Sequence, residues 1–397
     1  MINQDYSEDF KFDNVGEETI DELYVDLNRI NQAVIWGTDW TAETINFQLV
    51  RGNIDLNPNF QRRDAWTDQD KSRLIESLML NIPVPPIILA ESKTKRNTYI
   101  VIDGKQRLLS IRRFYGSSED FKPLKLSGLT VLKDLNGKTR GQIGEDRLRD
   151  FDNQTIRTIV IKNWPDESFL YTVFLRLNTG SKKLSPQELR QALKPGQFLD
   201  FLDDATANSD IIKRMLNNKN PDPRMKDVEL ALRYYAFKYY IEDFNGNLKQ
   251  FLDLTCEEMN KGWELNKERY YEDFSELEKS IDTAYFLFEN NSPFSRFEKG
   301  ESSYRFNRSI FELFSYYFSD LKIRNSVLNY KDKFKKEFIE LNDNLEFISA
   351  ISDTTKDPIK VVKRFYLFAN ILSLIHDGPI TTLNLVDGKI RKIALRR

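Results

Sequence analysis

Apolar residues recur along the first half of the chain with two different periods, and their alternation predicts a small α/β domain. Tyr99 to Ile102 is a short β-branched run of the kind that forms a buried strand. Gly104 permits a sharp turn after it, and Leu108, Ile111 and Tyr115 then recur at spacings of three and four. That stretch reads as strand, tight turn, helix. Upstream, "PPIILAE" reads as a second strand, and "TAETINFQLVRGNI" as a helix starting at or near Thr41. Asn57-Pro58 marks a turn. Thr67 with Asp70 forms an N-cap pair for a helix that places Leu74, Ile75, Leu78 and Met79 on one face and ends before Pro83.

From 121 to 162 short extended pieces and turns alternate, closing on the strand "TIRTIVIKNW". "ESFLYTVFLRLNTG" follows as an amphipathic helix stopped by Gly180, and "SPQELRQAL" restarts a helix with Ser185 as cap, Pro186 at its first position and Glu188 three after the cap. Beyond Pro195 the strand signal fades. Long helical patterns such as "KDVELALRYYAFKYYIEDF" and "DPIKVVKRFYLFANILSLI" take over. The expected architecture is α+β: an acidic tail over 1–35, an α/β domain over 36–195, and an all-helical domain over 196–397.

Composition narrows the chemistry. With 397 residues there is ample chain for a core, and 28 Phe with 17 Tyr make it aromatic-rich. Net charge is −2, so no global basic field advertises nucleic-acid binding. The charge is uneven, however. Residues 1–26 carry nine acids against Lys11 alone, whereas residues 51–115 carry twelve Lys/Arg against seven Asp/Glu. No apolar run approaches the roughly 18 residues of a membrane span, and an acidic start is the wrong charge for a secretory signal, so a cytoplasmic protein without membrane contact is expected. The single cysteine, Cys256, precludes an internal disulfide or a thiolate cluster. The single histidine, His376, ends an apolar helical run and reads as a packed ring or a C-terminal cation. Paired-histidine metal sites and His-Asn-His nuclease chemistry are excluded with only one histidine. "GKT" at 137–139 is no P-loop, since the required upstream glycine would fall on Leu132.

Three polar clusters then stand at predicted element ends, where loops converge into sites. They are Gln61, Arg62 and Arg63 with Trp66; Asp103, Gly104, Lys105, Gln106 and Arg107; and Arg176, Asn178, Thr179 and Gly180 with Glu188 and Arg190 downstream. Lys105 and Arg107 occupy the first turn of a predicted helix, where the macrodipole disfavours cations unless an anion lies opposite. A phosphate would reconcile the arrangement. Asp103 suits a metal such as Mg²⁺, an attacking water or a base. A ligand-free account also stands: Asp103 as N-cap with Gln106 three residues on resembles a capping box.

The succession "NPNFQRRDAW", "LIESLMLNIPVPPIIL", "YIVIDGKQRLLSI" and "FLRLNTGSKKLSPQELRQAL" resembles the N-terminal domain of the GmrSD modification-dependent restriction enzymes. That family carries a D-G-Q-Q-R motif on a ParB/sulfiredoxin-like fold. "RMKDVELALRYYAF" is similar to the helical part that follows in stand-alone members, so the likeness spans roughly residues 40 to 375. The resemblance implies nucleoside triphosphate binding and hydrolysis in anti-phage defence, with Asp103, Gln106 and Arg107 in catalytic roles. It also implies action on DNA, a partner effector and self-association. Asp103, Gly104, Gln106 and Arg107 match the motif, while Lys105 stands in place of its first glutamine. Gln61, Arg62, Arg63, Gly104, Lys105, Arg107, Asn178, Thr179 and Gly180 are the expected nucleotide contacts, converging on one cleft. Two alternatives stay open: a phosphate-binding module without turnover, and a carboxylate-metal nuclease built on Glu91 and Lys93 with an upstream Asp.

Overall fold

The structure is a computed structural model that describes residues 33–54, 56, 66–93, 95–116, 122–166, 169–170, 173, 185–289, 292–298 and 301–395. It divides into two compact units. One holds the described residues up to Leu193 together with Pro223–Met225, and the other holds Lys194–Asp222 and the described residues from Lys226 onward.

The first unit is built on a mixed four-stranded sheet of β1 (Val34–Thr41), β2 (Ile87–Glu91), β3 (Tyr99–Asp103) and β4 (Thr155–Lys162), in the order β1-β4-β2-β3. β4 runs antiparallel to β1 and parallel to β2, and β2 runs antiparallel to β3. The helices are α1 (Ala42–Val50), α2 (Asp68–Met79), α3 (Lys105–Tyr115), α4 (Glu145–Asn153) and α5 (Pro186–Leu193). Alternation along the central strands feeds two cores. Ile87, Leu89 and Ile156 pack with Ile75 and Leu78 of α2, Leu108 and Ile111 of α3, and Phe151 of α4. Ile88, Ala90, Ile102 and Ile161 pack on the other face with Trp164, Phe169, Leu170 and Leu189 of α5. Burial on both faces explains why β2 reads as a continuous apolar run.

The predicted caps hold. Thr41 caps α1 through the Thr44 N–H, and Thr67 with Asp70 forms a full capping box on α2. Ser185 and Glu188 form another at α5, with Ser185 N donating to Glu188 Oε2 at 2.7 Å and Glu188 N to Ser185 Oγ at 3.1 Å. Two elements were not foreseen. β1 lies where the tail was expected to give way to the domain, and its pairing with β4 overrides a weak local signal. α4 lies inside the stretch read as turns; it is short and mostly exposed, anchored by Phe151.

The second unit is mainly helical: α6 (Gln197–Asn208), α7 (Asp210–Met215), α8 (Lys226–Tyr240), α9 (Leu248–Lys261), α10 (Trp263–Leu287), α11 (Arg308–Phe318), α12 (Leu321–Asn329), α13 (Lys331–Leu341), α14 (Leu345–Ser352) and α15 (Pro358–Ser373). Its interior is aromatic, with Phe314 against Phe288, Phe318, Phe338 and Phe368. Glu312, buried in α11, bridges the equally buried Arg233 and Arg364 at 2.8 and 2.6 Å. The all-helical expectation for this unit needs correction in one respect. Two hairpins belong to it, β5 (Ser295–Glu298) with β6 (Glu301–Phe306), and β7 (Ile380–Val386) with β8 (Lys389–Leu395). The second turns through Asp387 and Gly388 at φ 51° and 72°, the left-handed pair that closes a tight hairpin. His376 is a packed ring: it is buried, and Nδ1 lies 2.8 Å from Ser326 Oγ. Among the described residues no helix is long and apolar enough to cross a membrane.

One buried carboxylate organises the loop after α3. Glu76 of α2 accepts the backbone N–H groups of Thr130, Val131 and Leu132 at 3.3, 2.9 and 2.7 Å. Burial opposes its ionisation, but these donors outweigh that and hold the carboxyl below its ordinary value of 4.5. Its stabilisation is therefore complete above about pH 4.5 and is lost as pH falls through the lowered folded value. Glu76→Gln should destabilise this unit by about 2 kcal/mol at pH 7, with the gap to wild type closing in acid. Urea unfolding followed by tryptophan fluorescence reads this directly, because four of the five tryptophans (36, 40, 66 and 164) lie in the unit. A gap that is independent of pH would show that the charge is not the stabilising feature.

Candidate functional site at the β3–α3 turn

The site begins with a backbone constraint. Gly104 sits at φ 101°, ends β3 and serves as the N-cap of α3. A Cβ there would lie 3.1 Å from Ile87 Cγ1 and 3.3 Å from both Ile87 Cα and Arg107 Nη2, so any side chain would be crowded as well as strained by the left-handed backbone. The capping-box account of Asp103 therefore fails: the cap is one residue later and carries no side-chain acceptor. Asp103 is instead the last residue of β3. A register shift separates the Leu89–Val101 and Ile88–Asp103 pairs, and such irregularities commonly re-aim a side chain at a strand end.

The two cations of the first turn both have anions supplied by the protein. Arg107 Nη2 donates to Asp103 Oδ2 at 2.7 Å and to the Pro86 carbonyl at 3.0 Å, while its buried Nε has no hydrogen-bond partner among the described residues. Asp103 keeps 35% of its side-chain surface exposed against 13% for Arg107. Lys105 is buried, and its Nζ lies 3.3 Å from Glu188 Oε1. Glu188 also accepts the Ser185 N–H of its own capping box, and its Oε2 lies 3.5 Å from Arg224 Nη1. Ser185 Oγ donates to the Arg224 carbonyl at 2.7 Å. The expectation that these cations face outward to a phosphate thus gives way for Lys105, which ties α3 to α5.

α5 holds further polar groups that sequence reasoning did not single out. Gln187 and Gln191 are buried beside Glu188 and Arg190, and Arg190 Nη1 donates to Gln187 Oε1 at 2.7 Å. Four buried polar side chains on an eight-residue helix form an unusual interior. Its local signal was only amphipathic spacing. Gln106 is half-buried, and its backbone carbonyl accepts from Ser110 Oγ. Trp66 packs at the edge of the core. Gln61, Arg62, Arg63, Arg176, Asn178, Thr179 and Gly180 lie outside the described residues, as does their expected convergence. Lys93 of the nuclease alternative donates to the Pro165 carbonyl at 2.6 Å and lies over the Trp164 ring at 4.0 Å. Among the described residues no group of three or more His, Cys, Asp or Glu is placed to hold a metal ion.

With this geometry in place, comparison with known proteins is informative. Residues 46–193 match the family model described as "GmrSD restriction endonuclease, N-terminal domain". Over this stretch the chain is similar to a GmrSD N-terminal domain. The match covers α2 to α5 and so contains the whole β3–α3 turn with its Glu188 counterpart. No curated protein and no solved structure matches the chain.

Within this GmrSD-like stretch, the Lys105–Glu188 pair should behave asymmetrically. Glu188→Gln removes the carboxylate that lies 3.3 Å from the buried Lys105 ammonium and breaks an ion pair of the capping helix, and should cost about 2–3 kcal/mol. Lys105→Gln should cost less, because Glu188 retains the Ser185 amide and Arg224. The double variant should recover part of the loss, giving a coupling energy above about 0.5 kcal/mol in urea unfolding. Additive effects would mean that the two groups do not interact.

Proposed function

We propose that the chain is a nucleotide-binding, nucleoside-triphosphate-hydrolysing sensor or regulatory protein of a DNA-restricting anti-phage system. The observation that carries this reading is the left-handed Gly104 turn into α3, flanked by an Asp103 carboxylate clasped by Arg107. The GmrSD match supports the restriction context and action on DNA.

The chemistry follows from the turn. α3 has no acidic residue in its first turn, so the macrodipole there favours an incoming anion. The left-handed turn at Gly104 places the first backbone N–H groups of α3 directly after β3, where a phosphate would meet them. Asp103 is a single, partly exposed carboxylate. One carboxylate plus phosphate oxygens is the manner in which proteins hold nucleotide-borne Mg²⁺, so Asp103 fits that ion, which would offset phosphate charge. Arg107 acts first as a positioning residue, holding the carboxylate through Nη2, and Gln106 lies in the same turn for the attacking water. Nucleotide state would then be passed to a partner effector or a second copy of the chain. A binding module without turnover is the second reading, favoured by the Asp103–Arg107 pairing, which occupies both side chains with each other.

Phosphate release, measured with each nucleoside triphosphate and Mg²⁺, with and without DNA, tests the proposal. Asp103→Asn should suppress release at least tenfold. It should leave metal-free nucleotide binding within about twofold and cost less than about 1 kcal/mol of stability, since its ion pair is partly exposed. Arg107→Ala, which leaves the Asp103 carboxylate unheld, should likewise suppress release at least tenfold while leaving metal-free nucleotide binding within about twofold. Binding without release by wild type would select the second reading, and absence of nucleotide binding would overturn both.

A further inference from the structure

The far end of the same sheet carries a second polar-aromatic surface. β4 and β2 end there at Lys162 and Glu91, and β1 and β3 begin there at Val34 and Tyr99. The β3–α3 turn lies at the opposite end, beside Ile87 and Asp103. β1 is an edge strand, and its first three residues are apolar and open: Val34 is 49% exposed, Ile35 71% and Trp36 55%. A run of exposed apolar residues is disfavoured on a soluble domain unless it has a partner.

The surroundings state what kind of partner. Lys162 Nζ lies 4.5 Å from the centre of the Trp36 ring, so a cation and an open indole share one surface. The β2–β3 turn adds Lys93, Lys95 and Arg96, all exposed. Trp164 mounts the first of these: its own Nε1 donates to the Glu91 carbonyl at 2.7 Å, and Lys93 Nζ sits over its ring. Against these four cations stand Glu91 and Asp166, and Asp166 Oδ1 is turned to the Phe169 N–H at 2.9 Å. This local excess of positive charge stands in a chain of net charge −2. One open aromatic face beside cations complements an unstacked base flanked by phosphates.

We propose that this end of the sheet binds single-stranded DNA, stacking a base on Trp36 beside Lys162 and pairing phosphates further along the strand with Lys93, Lys95 and Arg96 of the β2–β3 turn. The proposal takes the DNA of the functional reading and assigns it to a surface remote from the β3–α3 turn. Its test needs no nucleotide, so it can fail while phosphate release succeeds, and the reverse.

Fluorescence anisotropy of a labelled 20-nucleotide oligothymidine, with the full chain at 50 mM salt, reads binding directly. Stacking on one aromatic side chain is worth about 1–3 kcal/mol per base, so Trp36→Ala should weaken binding roughly five- to 150-fold, whereas Trp36→Phe should keep most of the affinity. The double variant Lys95→Gln/Arg96→Gln should lower the slope of log Kd against log salt by about 1.4, at about 0.7 per phosphate contact on a single strand. All these positions are solvent-exposed, and an unchanged urea midpoint would verify folding. No binding by wild type would overturn the proposal, as would unchanged affinity in a folded Trp36→Ala. Equal or tighter binding of the matching blunt duplex, insensitive to Trp36, would also overturn it. So would a Trp36-dependent dimer, seen by sedimentation, that does not bind the oligonucleotide.

Discussion

The ion pair between Lys105 and Glu188 is the interaction on which the arrangement of the first unit turns. A buried ammonium at the first helical position of α3 is costly on its own, both for desolvation and for its place at the positive end of a dipole. Glu188 offsets that cost from α5, a helix distant in sequence, while closing the capping box that starts that helix. The same carboxylate reaches Arg224, from the short segment Pro223–Met225 that belongs to this unit although its sequence neighbours do not. One side chain therefore sets the position of α5, the return of a remote segment, and the environment of the turn.

That turn separates two roles which the motif presents side by side. Lys105 is turned inward and structural, whereas Asp103 is partly exposed and held by Arg107. Gly104 makes the separation possible: its left-handed conformation lets β3 end and α3 begin with no connecting residue besides the glycine. The cations that would be unfavourable at a helix start are each neutralised from within the domain. What remains available to a phosphate is the dipole and the first backbone N–H groups of α3, and what remains available to a metal or water is one carboxylate.

The sheet also has two chemically different ends. At one, a glycine turn and a clasped carboxylate form a compact polar site. At the other stand an open tryptophan beside Lys162 and the cations of the β2–β3 turn. Mixed topology creates this division, since β2 and β4 run together while β1 and β3 run against them. Charges that are adjacent in sequence between 93 and 107 are thereby sent to opposite ends of one sheet.

Much of this was legible in the order of residues. Local rules sufficed wherever a signal and its partner lay within a few positions: Thr41, Thr67 with Asp70, and Ser185 with Glu188 cap their helices as their spacing demands. The strand-turn-helix around Gly104 was equally clear, because only glycine suits its backbone. The Asp387-Gly388 hairpin carried a local signature too, and helical periodicity upstream obscured it. Tertiary structure alone decided the rest. Whether Lys105 meets a ligand or Glu188 depends on residues 83 positions apart. Asp103 was an equally good cap on propensity, and the register shift in β3 with the burial of Arg107 turned it into a clasped carboxylate instead. β1 had no helical or alternating signature, and became a strand because β4 offered it an edge. Sequence spacing determines hydrogen bonds that close within one turn, whereas the partner of a buried charge is chosen by packing that no local pattern encodes.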